Sequence, residues 1–139
     1  VNAMLHNDTH ILQNNCIEAG KYVVCGTRGW TLPQDGGFSE NDRKIYEREK
    51  IRLKLSLDAA KRFPEKEKIV MMHFPPIYQH MRDTDFARII EEEHVSEVVF
   101  GHLHGDILKT VHLTDIREKN VNYNLVSADY LDFKLKKIR

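Results

Sequence analysis

The sequence predicts an α/β fold: a βαβαβ unit followed by an antiparallel β meander. Three observations carry this expectation. Short apolar runs at residues 22–26, 68–73 and 97–102 have the length and β-branched content of buried strands. Between them lie two stretches whose apolar residues recur at helical spacing. Beyond residue 105 the pattern changes to partial alternation with no further helical stretch.

Taken in order, the first strand covers residues 22–26 and stops at Gly26, and residues 27–37 form a loop containing Gly, Pro, Asp and the single Trp30. Ser39 and Asp42 make an S-x-x-D start signal for a helix over 41–61. Tyr46, Leu53, Leu57 and Ala60 form its buried stripe, Arg43, Lys44, Glu47, Arg48, Lys50 and Lys54 stay polar, and Pro64 ends it. The second strand, 68–73, runs into Pro75-Pro76, whose turn is either an ordinary loop or one held by a cis bond. A second helix over 84–94 is capped by Asp83 or Thr84 and buries Phe86, Ile89 and Ile90. The third strand, 97–102, completes parallel pairs joined by right-handed crossovers. Residues 107–113, 121–128 and 131–138 supply the meander.

At 139 residues the chain is expected to form one domain over residues 4–139, with Val1-Asn2-Ala3 a cloning remnant ahead of Met4. Its 21 basic and 21 acidic residues cancel, which removes the electrostatic case for a nucleic-acid or anionic-membrane partner. Neither a membrane span nor a signal peptide is visible, so a cytoplasmic location is expected. Cys16 and Cys25 are too few for a disulfide framework and read as free thiols, Cys25 in the core.

The chemistry concentrates where strands end. Val98-Val99-Phe100 runs into Gly101-His102-Leu103-His104-Gly105, and Ile69-Val70-Met71-Met72 runs into His73. Imidazole nitrogens bind transition ions, and sites of open α/β sheets lie at the carboxyl ends of strands. On a strand, His102 and His104 point the same way because side chains repeat every second residue, so both are expected to face one cavity. A solvated histidine pair is the plain reading of His-x-His alone; His73 on a neighbouring strand favours a metal site. His6, His10, His80, His94 and His112 lack this context and read as surface residues. Arg28, in the loop after the first strand, is a candidate for binding a substrate phosphate, or else stacks on Trp30 or pairs with Asp35. Tyr78 and His80 are weaker candidates for a pocket mouth, and Glu91-Glu92-Glu93 reads as a solvated helix face.

His73-Phe74-Pro75-Pro76 followed by Val98-Val99-Phe100-Gly101-His102-Leu103-His104-Gly105 resembles the last two signature blocks of the calcineurin-like metallophosphoesterases. The earlier Cys25-Gly26-Thr27-Arg28-Gly29-Trp30 loop resembles a bacterial cytosolic branch of that family. The resemblance implies the C-terminal half of an αββα sandwich and, in the intact parent, hydrolysis of phosphomonoesters or phosphodiesters at a dinuclear centre. It implies His73 and His102 as ligands of one divalent transition ion (Mn, Fe, Zn, Ni or Co) and His104 as a ligand of the other.

The family's D-x-H, G-D and G-N-H-[DE] blocks have no counterpart here; Asn7-Asp8-Thr9-His10 has the right residue types in the wrong order. Without the bridging carboxylate and the histidine general acid of those blocks, the isolated chain is expected to have little or no phosphoesterase activity. The sheet face that the missing half would cover predicts a homodimer or association with an N-terminal half. The alternative is a non-catalytic module that binds at most one transition ion and self-associates.

Overall fold

The computed structural model describes residues 9–138. Val1-Asn2-Ala3, Met4, His6 and the Asn7-Asp8 half of the polar lead-in lie outside the described residues. The elements run β1 (Ile17–Ala19), β2 (Tyr22–Thr27), α1 (Glu40–Ala60), β3 (Glu67–Met72), α2 (Asp85–Glu92), β4 (Glu97–Phe100), a 3-10 turn (Gly105–Lys109), β5 (Ile116–Glu118) and β6 (Val121–Leu125). They build one six-stranded mixed sheet in the order β1-β2-β3-β4-β6-β5. Four central strands are parallel and the two edge strands antiparallel.

The predicted βαβαβ unit is present with boundaries shifted by at most two residues. Ser39 caps α1 through a capping box with Asp42, and the helix buries Tyr46, Leu53, Leu57 and Ala60 as its periodicity requires. The same face carries Glu49 and Ser56, both fully buried. Ser56 Oγ accepts from the Gly26 amide at 2.8 Å and donates to the Asn15 carbonyl at 2.6 Å, tying α1 to β2. Thr84, rather than Asp83, caps α2: its hydroxyl accepts from Ala87 N at 3.1 Å and donates to the Pro76 carbonyl at 2.6 Å. Asp83 instead holds Arg88 through two hydrogen bonds of 2.8 Å.

The expected antiparallel meander does not form. Residues 107–113 begin in a 3-10 turn and continue without a strand; residues 131–138 form no strand, because positive φ at Asp132 and Phe133 breaks the extended backbone. β6 instead joins β4 in parallel, extending the central sheet, and only β5 lies antiparallel to it. Lys119 and Asn120, both at positive φ, make the two-residue turn between them. β1 carries no clear pattern in the sequence; Gly20 at φ +60° opens the tight turn that folds it onto β2.

Register separates the two sheet faces. Cys25, Val70, Val98 and Tyr123 form one row, and Thr27, Met72, Phe100 and Leu125 another, all buried on the side covered by α1 and α2. The opposite face carries the Gly26, Met71, Val99 and Asn124 row, and Met71 there is 48% exposed. Residues 131–138 lie beside this face and enclose a groove of about 400 Å3 against Val99 and Val126, with Phe133 and Leu135 exposed. Cys16 and Cys25 are both free and buried, and burial pushes the Cys25 thiol up to about 12. No helix among the described residues is long and apolar enough to cross a membrane.

Candidate functional site

β3 and β4 run parallel in register, Met72 beside Phe100, so both deliver their chains to the same edge of the sheet. Backbone bonds then extend the alignment past the strands: Gly101 N donates to the His73 carbonyl at 3.2 Å, and His73 N and Phe74 N both donate to the Arg28 carbonyl, at 3.1 and 2.9 Å. His73, His102 and Arg28 therefore stand at the carboxyl ends of three adjacent strands, where an open α/β sheet places its sites. The Pro75-Pro76 turn contains no cis bond.

His73 Nε2 and His102 Nδ1 face each other at 3.0 Å. His104 does not join them. β4 ends at Phe100, and Leu103 N donates back to the Gly101 carbonyl at 2.9 Å across His102, which sits at φ +72°. This is a γ-turn of the rare positive-φ kind. The period-two argument needs extended backbone through residue 104, and the turn removes it. His102 consequently swings toward His73, while His104 Nδ1 lies 2.8 Å from Asp129 Oδ1. Asp129 also accepts from the Gly105 amide at 3.0 Å. These contacts, the amide bond first, hold its carboxyl below the usual range.

An aromatic row backs the imidazoles. Phe74 lies against His102 with ring centroids 4.1 Å apart, and Trp30 tilts against Phe74 at 5.1 Å. Gly29, beside this row, sits at φ +71°, a conformation that favours glycine. Desolvation first, then the neighbouring His73 and His104, lower the His102 pKa and favour its neutral ring, the form that ligates metal.

The fit to a metal is partial. His73 Nε2 and His102 Nδ1, 3.0 Å apart, are within hydrogen-bonding distance of each other, and both are imidazole nitrogens of the type that would hold a transition ion. Asp129 on His104 Nδ1 leaves Nε2 outward, the arrangement by which carboxylates orient metal-binding histidines. Among the described residues, however, no group of three or more His, Cys, Asp or Glu side chains is gathered closely enough to hold an ion.

Arg28 stacks on Trp30, guanidinium carbon to ring centroid 4.4 Å, and its carboxylate partner is Glu49 at 3.7 Å rather than Asp35. Asp35 instead accepts from Leu32 N. Sequence reasoning missed Asp129 and Glu49; Asp129 is an ordinary acidic residue after a strand, and Glu49 occupies a helical position otherwise reserved for apolar residues. That placement, four residues before Leu53 on the buried stripe, was the available signal for Glu49. His10, His80, His94 and His112 are exposed. Tyr78 bridges to Met81 and takes no part in the imidazole cluster.

What the fold and site define is a class: a mixed α/β domain with histidines at the carboxyl ends of parallel strands. Comparison with family models, curated proteins and solved structures finds no match to this chain.

Proposed function

We propose that this domain is the imidazole-bearing half of a metal-dependent phosphoesterase, one that hydrolyses phosphomonoesters or phosphodiesters. The observation that carries the reading is the pairing of His73 and His102 at 3.0 Å from the ends of adjacent parallel strands. In this assignment His73 and His102 would hold one divalent transition ion, and His104, whose Nδ1 meets Asp129 at 2.8 Å, would be a ligand of a second. Bound ions would supply charge to polarise the phosphoryl group and acidify water. Arg28 positions a substrate phosphate, with Trp30 fixing its guanidinium plane.

The open sheet face supports the same reading. On the face opposite α1 and α2, Met71 is 48% exposed while its row neighbours Gly26, Val99 and Asn124 are buried, and a second half or a second copy would pack on that exposed position. Among the described residues no group of three or more His, Cys, Asp or Glu side chains is gathered to hold an ion, in keeping with a chain that alone has little or no turnover.

The test pairs equilibrium dialysis against Mn2+ or Zn2+ with hydrolysis of p-nitrophenyl phosphate and its bis-ester. Binding of an ion that is lost in His73→Ala and His102→Ala, without turnover, is the expected result. Metal binding unchanged in both variants removes the assignment. A non-catalytic module that binds at most one ion and self-associates is the second reading, favoured by the absence of a third donor beside the pair among the described residues. Turnover restored when a polypeptide bearing the family's upstream motifs is added would separate the first reading from the second.

A further inference from the structure

Beside Arg28 the structure contains a second polar feature that the imidazole cluster does not use. A cleft of about 230 Å3 opens between the end of β2 and α1, lined by Gln13, Thr27, Arg28, Arg48, Glu49 and Arg52 together with Leu12. Three of these residues are arginines and one is an acid. Arg48 and Arg52 lie one helical turn apart, so α1 presents both on one side. Arg28 reaches the same place from the sheet.

Glu49 explains one arginine but not three. Its side chain is fully buried, with Thr27 Oγ1 donating to Oε2 at 2.5 Å and Arg52 Nη1 donating to Oε1 at 2.8 Å. Those two bonds satisfy both carboxylate oxygens and balance its charge. Arg28 and Arg48 stand 3.7 Å from the same Oε1, with side chains 46% and 52% exposed. Three guanidiniums against one carboxylate leave the cleft with a charge of +2. Because the whole chain is neutral, this is a local concentration of charge rather than a generally basic surface.

Like charges this close repel, and a dianion placed among them relieves the repulsion while engaging their N–H donors. Stacking on Trp30 at 4.4 Å fixes Arg28 in advance, which reduces the ordering cost of binding. We propose that this cleft is a binding site for a phosphate-type oxyanion, either the free ion or the phosphoryl group of a larger ligand, held by Arg28, Arg48 and Arg52, with Glu49 and Thr27 as the fixed floor. The proposal extends the role given to Arg28 above. It needs no metal, so it is testable separately from the phosphoesterase reading.

The experiment is isothermal titration of the 139-residue chain in EDTA and low salt, with inorganic phosphate in one arm and ribose 5-phosphate in the other. Saturable binding is expected in at least one arm, and the tighter arm identifies the free ion or the phosphomonoester as the preferred source. Arg28→Gln and Arg48→Gln are each expected to weaken it about tenfold or more. Arg43→Gln, on α1 but outside the cleft and paired with Glu40, serves as the charge-matched control and is expected to bind as the parent does. Circular dichroism melts establish that each variant is folded. No saturable binding by the parent in either arm up to about 10 mM overturns the proposal, as does equal weakening in Arg43→Gln or undiminished binding in folded Arg28→Gln and Arg48→Gln.

Discussion

Among the glycines, Gly26 leaves the least room for a Cβ, so Gly26→Ala is expected to be strongly destabilising. Gly26 pairs with Met71 in the parallel β2–β3 ladder, and a Cβ built on it falls 2.0 Å from the Met71 carbonyl oxygen and 3.0 Å from its carbonyl carbon. Real Cβ contacts essentially never lie under 3.0 Å, so the strands must part locally by about 1 Å, a fifth of their normal separation of about 4.8 Å. The obstacle is backbone, and rotating a side chain does not relieve it. Overpacking costs about 1–3 kcal/mol, and weakening one or two ladder bonds adds about 1 kcal/mol each. The expected loss is therefore about 2–5 kcal/mol, or about 7–18 °C in Tm for a domain of this size. Thermal melts followed by far-ultraviolet circular dichroism, with urea unfolding for ΔG, measure it. Gly36→Ala is the control, because nothing lies within 4 Å of a Cβ there; it should stay within about 0.5 kcal/mol of the parent. A Gly26→Ala chain that melts within about 3 °C of the parent refutes the argument that this close approach constrains the sheet.

Three further outcomes are expected from the geometry. Thr84→Ala removes the α2 cap and the bond to the Pro76 carbonyl, so urea unfolding should show a loss of about 1–2 kcal/mol. Stability should fall above pH 9 through Cys25 and more steeply above pH 10 through the tyrosines: burial raises the folded pKa of Cys25 and Tyr78 to about 12 and raises those of Tyr46 and Tyr123 also. The unfolded chain then releases protons that the folded chain retains, so stability is full below the unfolded values and lost as pH rises through the window up to the folded ones, by at most about 1.4 kcal/mol per pH unit per group. Urea midpoints at pH 9, 10 and 11 read this directly, and a flat series contradicts it. Met71→Lys places a charge on the open sheet face; if copies associate through that face, sedimentation should shift toward monomer, and a parent that is already monomeric at micromolar concentration removes self-association.

Much of the architecture was legible because local signals and tertiary packing agreed. The S-x-x-D box starts α1 where Ser39 and Asp42 predict, and Tyr46, Leu53 and Leu57 are buried as their spacing requires. The apolar runs ending at Met72 and Phe100 became parallel strands, since a continuous apolar run is the pattern of a strand inside a parallel sheet. The region after Gly105 misled because short alternation is shared by strands and by irregular segments with positive-φ residues such as Phe133.

The sequence by itself determined which histidines reach the carboxyl edge of the sheet, because strand length and order follow from local pattern and crossover handedness. Only the tertiary structure decided how they divide. The γ-turn at His102 depends on backbone bonds among β3, β4 and the turn, and no single-residue propensity encodes it. Likewise, Asp129 meets His104 across 25 residues of chain, and Arg28 meets Glu49 only because α1 packs on β2. Contacts of that kind are set by how elements pack, which periodicity along one chain does not report.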